Sequence, residues 1–225
     1  MNELTSKENQ AEETCCAVPI DGNMTDYWNE VFSSKEVQNW AEQGEPKMMK
    51  WVRALNLNKG ATIFCAGVGD SPLIDFLLAE GFTNIIANDV SEIALGKIKK
   101  RIGTYPGVSF MRDDLMNPDS INALYGKVDL YIDRATLHFF TTCKDKDFYF
   151  NQVNKLLAPD GKVILGVFSK NNEPTCCGLS LQLWSLESLK NRLAGFEFLA
   201  EDTEDFREQN GKIREYIYLN ARVKA

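Results

Sequence analysis

Residues 61–71, Ala-Thr-Ile-Phe-Cys-Ala-Gly-Val-Gly-Asp-Ser, constrain the fold more than any other stretch of the chain. The apolar run Ala61–Ala66 reads as a short buried strand. It breaks at Gly67-Val68-Gly69, and a helical pattern begins at Pro72, a residue suited to a helix's first turn, with Ser71 placed to cap it. A strand that turns on glycines into a helix lets a ligand touch bare backbone and aims the helix's free N–H groups at it. A second apolar run, Ile85-Ile86-Ala87, ends in Asn88-Asp89. An acidic side chain at the end of the second strand is where nucleotide-binding α/β folds grip a ribose diol.

From Ala61 onward strands and helices alternate. Expected strands are 61–66, 84–88, 108–111, 128–132 and 162–168. Between them lie helices over 72–80, 91–102 (with Ser91 as N-cap), 118–125 and 145–157, and a further helix over 185–193 opens on Ser185. Two last strands, 196–199 and 213–222, form an antiparallel pair closing the sheet. The fold class is α/β: a Rossmann-like, seven-stranded, mostly parallel sheet with helices on both faces and a C-terminal antiparallel strand. Ligands bind such sheets at the carboxyl ends of the strands, near the switch in strand order. Residues 1–22 are polar and acidic and read as a flexible arm. Residues 23–225 form one domain, with cap helices over 23–57 and the Rossmann-like core over 61–225.

A formal net charge of −7 opposes binding to a phosphate backbone, so no nucleic-acid partner is expected. No apolar run reaches membrane-spanning length, and the polar start does not read as a secretory signal. Six cysteines (Cys15, Cys16, Cys65, Cys143, Cys176, Cys177) include no Cys-x-x-Cys pair, and the single histidine, His138, gives no zinc spacing, so no metal is expected. Adjacent cysteines make poor disulfide partners for each other, and a reducing cytoplasm is the simpler reading.

The succession from Tyr27 to the C-terminus resembles the class I S-adenosylmethionine-dependent methyltransferases. Gly67-Val68-Gly69-Asp70-Ser71 resembles the Gly-x-Gly-Asn-Ser and Gly-x-Gly-Thr-Ser glycine loops of the branch holding methyltransferase-like lysine methyltransferases. Asp133-Arg134-Ala135-Thr136-Leu137 resembles segments after strand four found there and in thiopurine methyltransferases, and Tyr27-Trp28 resembles that branch's Tyr-Trp-Asp opening. One departure is Cys65, which stands where many relatives carry an acidic residue.

The resemblance implies S-adenosylmethionine as cofactor and S-adenosylhomocysteine as product. Gly67, Val68, Gly69 and Ser71 would hold the methionine part, Asp89 the ribose hydroxyls, and Val90 the adenine. Asp114, with Asp113 as its neighbour, would meet the adenine amino group, and Leu115 the ring. Asp133 and Arg134 would lie where the methyl group points, Asp133 also touching the cofactor, with His138 as a candidate base. Tyr27, Trp28, Trp40 and Cys176 would face the methyl acceptor. The expected enzyme methylates a nitrogen or sulfur nucleophile on a small molecule or a protein lysine, as a monomer or weak dimer. Two alternatives are a module that keeps the fold without the chemistry, favoured by Cys65, and a thiol- or metalloid-directed (arsenite-type) methyltransferase using Cys176 and Cys177 with Cys143 or Cys65 as third ligand. A nucleotide-dependent oxidoreductase is disfavoured, because Pro72 replaces the third glycine of Gly-x-Gly-x-x-Gly.

Overall fold

Apolar side chains on both faces of the central strands require cover on both sides. A computed structural model, describing residues 23–34 and 44–224, supplies it. The strands are β1 (Ile63–Ala66), β2 (Ile85–Asp89), β3 (Val108–Arg112), β4 (Val128–Arg134), β5 (Leu157–Phe168), β6 (Thr175–Cys176), β7 (Leu179–Ser180), β8 (Phe196–Arg207) and β9 (Ile213–Val223). Seven of them form one sheet in the order β3-β2-β1-β4-β5-β9-β8. Strands β1 to β5 pair in parallel, and β9 runs antiparallel between β5 and β8. This is the mostly parallel sheet with one antiparallel C-terminal strand that the sequence predicts.

The helices are α1 (Met24–Ser33), α2 (Met49–Ala54), α3 (Leu73–Ala79), α4 (Glu92–Ile102), α5 (Cys143–Leu156) and α6 (Leu186–Arg192). The alternation along β1 divides the core. Ile63 and Cys65 pack with residues of α2, α3 and α4 in one cluster, while Phe64 and Ala66 pack with Tyr149, Phe150 and Val153 of α5 and Leu189 of α6 in the other. Caps set the helix starts. Ser91 Oγ accepts from Ala94 N at the head of α4, and Ser185 with Ser188 forms a capping box on α6. Ser71 Oγ accepts from Leu73 N at 3.2 Å, so it closes the first turn of α3 as expected.

The structure departs from the sequence reading in several places. Strand β4 continues through Asp133 and Arg134, β5 starts at Leu157 instead of Lys162, the expected helix over 118–125 contracts to a 3-10 turn at Ile121–Leu124, β8 runs 12 residues instead of stopping at Leu199, and part of the loop after β5 folds into the hairpin β6–β7. At the other end, Asn29 of α1 uses Oδ1 to accept from Ser91 Oγ at 2.8 Å, which seats α1 on the start of α4. Among the described residues, no helix is long and apolar enough to cross a membrane. Residues 1–22 and Trp40 lie outside the described residues.

Candidate functional site

Strand β1 pairs with β2 on one side and β4 on the other, so the order of the sheet reverses beside it. A cavity of about 380 Å³ opens there, at the carboxyl ends of these strands. Its floor is the turn after β1. Gly67 has φ 51° and Gly69 φ 57°, the left-handed region that glycine enters without strain. A Cβ at Gly67 would stand 2.1 Å from Thr136 Oγ1, so the close approach of the 133–137 segment requires glycine there. From behind, Arg101 of α4 donates to Asp70 O (3.1 Å) and Ser71 O (2.7 Å) and pairs with Asp75. The sequence reading missed Arg101; a basic side chain in the last turn of α4 looks like an ordinary complement to the helix dipole.

Asp89 ends β2 nearly buried and on the cavity wall. Its Oδ2 accepts from Gly69 N and its Oδ1 from Ser91 N, both at 2.8 Å. Burial raises its pKa to about 6, against the lowering effect of these backbone N–H groups. The Val90 N–H acts on it in the same sense, and the carboxylate, with about four lone-pair positions, can accept a further donor from the cavity. Val68, Ser71, Val90 and Leu115 line the same cavity. Next to Asp89, the buried Asn88 donates through Nδ2 to Met111 O and Asp113 O.

The two aspartates after β3 separate in role. Asp113 directs both oxygens at backbone, accepting from Asp114, Asp119, Ser120 and Ile121 N–H groups, and so shapes the 3-10 turn. Asp113 also lines the cavity, with its oxygens already engaged by these backbone groups. The Asp114 carboxylate accepts from Met116 N, and the residue sits half-buried on the cavity wall.

Asp133, expected at the cofactor and the methyl group, stands apart from the cavity lining. It is fully buried; it accepts from Thr136 N (2.9 Å), Leu137 N (3.1 Å) and Tyr149 Oη (2.6 Å), and burial lifts its pKa to about 6. Because β4 extends through Arg134, alternation turns Ile132 and Arg134 to the cavity and Asp133 to α5. The Arg134 guanidinium lies over the Tyr216 and Phe206 rings at 4.6 and 5.0 Å. His138 reaches the cavity wall, stacked on Phe168 with centroids 4.3 Å apart. Burial, then Arg134 and Arg214, lower its pKa to about 3, so the imidazole is neutral and a weak base. Among the described residues its Nδ1 has no hydrogen-bond partner.

Aromatic side chains close the site. Trp28 of α1 lines the cavity and meets Phe139 edge-on at 5.1 Å. Tyr27, expected beside it, does not line the cavity; its hydroxyl donates to Cys177 O and ties α1 to the β6–β7 hairpin. Phe32, Phe140, Phe168 and Tyr216 complete the apolar wall, and the sequence reading missed them because each reads as ordinary core. Cys65, Cys176 and Cys177 all line the cavity; Cys65 does so from a buried position, and burial pushes its thiol up. Cys143 is disulfide-bonded, which departs from the reading of all cysteines as free thiols. No group of three His, Cys, Asp or Glu side chains could hold a metal ion among the described residues.

No known family model matches the chain. It is 25% identical over 140 residues, 62% of this chain, to the eEF1A lysine and N-terminal methyltransferase of Mus musculus, and 24% identical to that of Bos taurus. The chain spans about a fifth of the length of these curated relatives. Among solved structures it is similar to a SAM-dependent methyltransferase from Anabaena variabilis (TM-score 0.74, 16% identity, 91% of this chain and 96% of that one). It is also similar to the N-methyltransferase NodS of Bradyrhizobium japonicum in complex with S-adenosylhomocysteine (TM-score 0.67, 13% identity, 91% of this chain and 100% of that one). Strand order, glycine turn and structural neighbours agree: this chain has the fold of the class I S-adenosylmethionine-dependent methyltransferases.

Proposed function

We propose that this chain is an S-adenosylmethionine-dependent methyltransferase acting on a nitrogen or sulfur nucleophile. One observation carries the reading: the glycine turn after β1 and the Asp89 carboxylate meet in one open cavity at the switch point of the sheet. The residues present fit an adenosyl sulfonium. Gly67 and Gly69 leave backbone uncovered, Asp89 keeps lone pairs for a diol, and Asp114 stands past β3 where an amino group of a base can be accepted. A volume of about 380 Å³ lies within the range of small-molecule sites.

When bound, the cofactor supplies a methyl group already attached to a good leaving group. The chain's own residues then have modest tasks. Trp28, Phe139 and Phe140 keep water from the reacting line. Neutral His138 accepts or donates a hydrogen bond and orients the acceptor; its weak basicity argues against proton abstraction from an ammonium, so a nitrogen acceptor reacts as the free amine. Asp133 supports the 136–139 turn beneath His138 and Phe139.

The acceptor is either a small molecule or a protein lysine. The mouse and bovine relatives are named for lysine and N-terminal methylation, and NodS for N-methylation. The metalloid-directed alternative has three thiols on the cavity, Cys65, Cys176 and Cys177, but burial holds Cys65 protonated, Cys143 is bonded, and no three such side chains among the described residues are grouped to hold a metal ion. The test is transfer of a labelled methyl group from S-adenosylmethionine into separate protein and small-molecule fractions of a cell extract. Label in protein supports a lysine acceptor and label in the small-molecule fraction a metabolite. Cofactor binding with label in neither supports a module without chemistry.

A further inference from the structure

The hairpin β6–β7 places two thiols where methyl transfer needs none. Cys176 and Cys177 both line the cavity, with Sγ atoms 3.4 Å apart. The hairpin is held from three sides. Arg214, in a buried ion pair with Glu208, donates to Thr175 O at 3.1 Å; Lys212 pairs with Glu173; and Tyr27 donates to Cys177 O. Cys177 has φ 53°, a strained conformation for a residue with a Cβ. From this geometry we propose that Cys176 and Cys177 form a reactive dithiol which low-molecular-weight disulfides convert reversibly into a vicinal disulfide on the cavity wall.

The two thiols are unequal. The two sulfurs are in hydrogen-bond contact and the charges of Arg214 and Lys212 lie near; the Cys176 thiol is held below its ordinary pKa while Cys177 is raised. Cys176 is therefore the attacking thiolate. It bonds to one sulfur of the external disulfide, whose S–S bond breaks and releases a thiolate. Cys177 then gives its proton to solvent and attacks Cys176 sulfur, closing the ring and releasing the second thiolate. The dithiol is oxidised by two electrons, and the external disulfide is reduced to two thiols.

Adjacent Cα atoms stand about 3.8 Å apart, short of the usual disulfide range of about 4.4–6.8 Å. The bond formed is strained and easily reduced, which suits a reversible modification and not a structural clasp. Closing it draws the sulfurs from 3.4 Å to about 2.05 Å and reshapes the wall that Tyr27 braces. The chemistry does not depend on methyl transfer.

The test uses full-length protein, reduced, freed of reductant and treated with oxidised glutathione. Peptide mapping under acid is expected to find the Cys176-Cys177 peptide short of two hydrogens, carrying no glutathione, and restored by dithiothreitol. Cys177→Ser is expected to trap glutathione on Cys176. Cys176→Ser is expected to slow reaction at Cys177 by at least about tenfold. On the unmodified sequence, prior treatment with phenylarsine oxide, which bridges close thiol pairs, is expected to block the oxidation. Glutathione retained on either cysteine of the unmodified sequence, equal rates at the two thiols, or no reaction at either overturns the proposal.

Discussion

At Asp89 two demands meet on one carboxylate. It fixes the glycine turn through Gly69 and Ser91, and in our reading it also holds the cofactor's ribose. Only the ionised form accepts at every position, and burial puts its pKa at about 6. Cofactor affinity is therefore expected to fall by about tenfold per pH unit below about 6, and calorimetry across that range should show the slope flattened in Asp89→Asn. Folding stability follows different signs. Asp89 and Asp133, both raised to about 6, bind protons in the folded chain first and add stability as pH falls from there toward the ordinary carboxylate range; His138, lowered to about 3, removes stability as pH falls below its ordinary value. These oppose each other, so the melting temperature is expected to change little between pH 6.5 and 5 while binding drops. Gly67→Ala should cost about 2 kcal/mol of stability through its left-handed φ and the Thr136 contact, and Thr136→Ala in the same chain should recover part of it in denaturant titrations. Gly67, Gly69 and Asp89 were legible in the sequence because each answers a backbone or charge requirement at a fixed place in a strand-turn-helix unit. Asp133 was not: its role turned on whether β4 stops at Ile132 or continues, and a shift of one residue changes the face of the sheet.

Among the elements, α4 and α1 act on the site without carrying its chemistry. Arg101 holds the carbonyls of Asp70 and Ser71 from the last turn of α4, and its ion pair with Asp75 is partly exposed and worth little. Arg101→Ala is expected to weaken cofactor binding several-fold while stability changes by less than about 1 kcal/mol; comparing calorimetry with thermal melts separates the two. The alternation of strands and helices was readable because apolar runs and caps such as Ser91 and Ser185 mark it. The length of β8 was not. Glu201, Asp202, Glu204 and Asp205 are poor strand formers, yet they extend along β9 at the sheet edge, where Asp202 pairs with Lys47 and Lys50 on one face and Glu201 with Lys190 on the other. Such charges also guard an edge strand against pairing with another chain.

For the whole molecule, the described residues share one sheet with a core on each face. Unfolding is expected as one transition with coincident midpoints by circular dichroism and tryptophan fluorescence. Saturating S-adenosylhomocysteine should raise that midpoint, since a ligand that binds only the folded state stabilises it. The most direct test of the central claim is calorimetric titration of the full chain with S-adenosylmethionine, alongside Asp89→Ala. The account predicts one-to-one binding that weakens by at least about tenfold in the variant, as loss of charge-assisted hydrogen bonds worth roughly 1.5–3 kcal/mol each requires. No binding at high micromolar cofactor, or equal affinity in the two proteins, would contradict it.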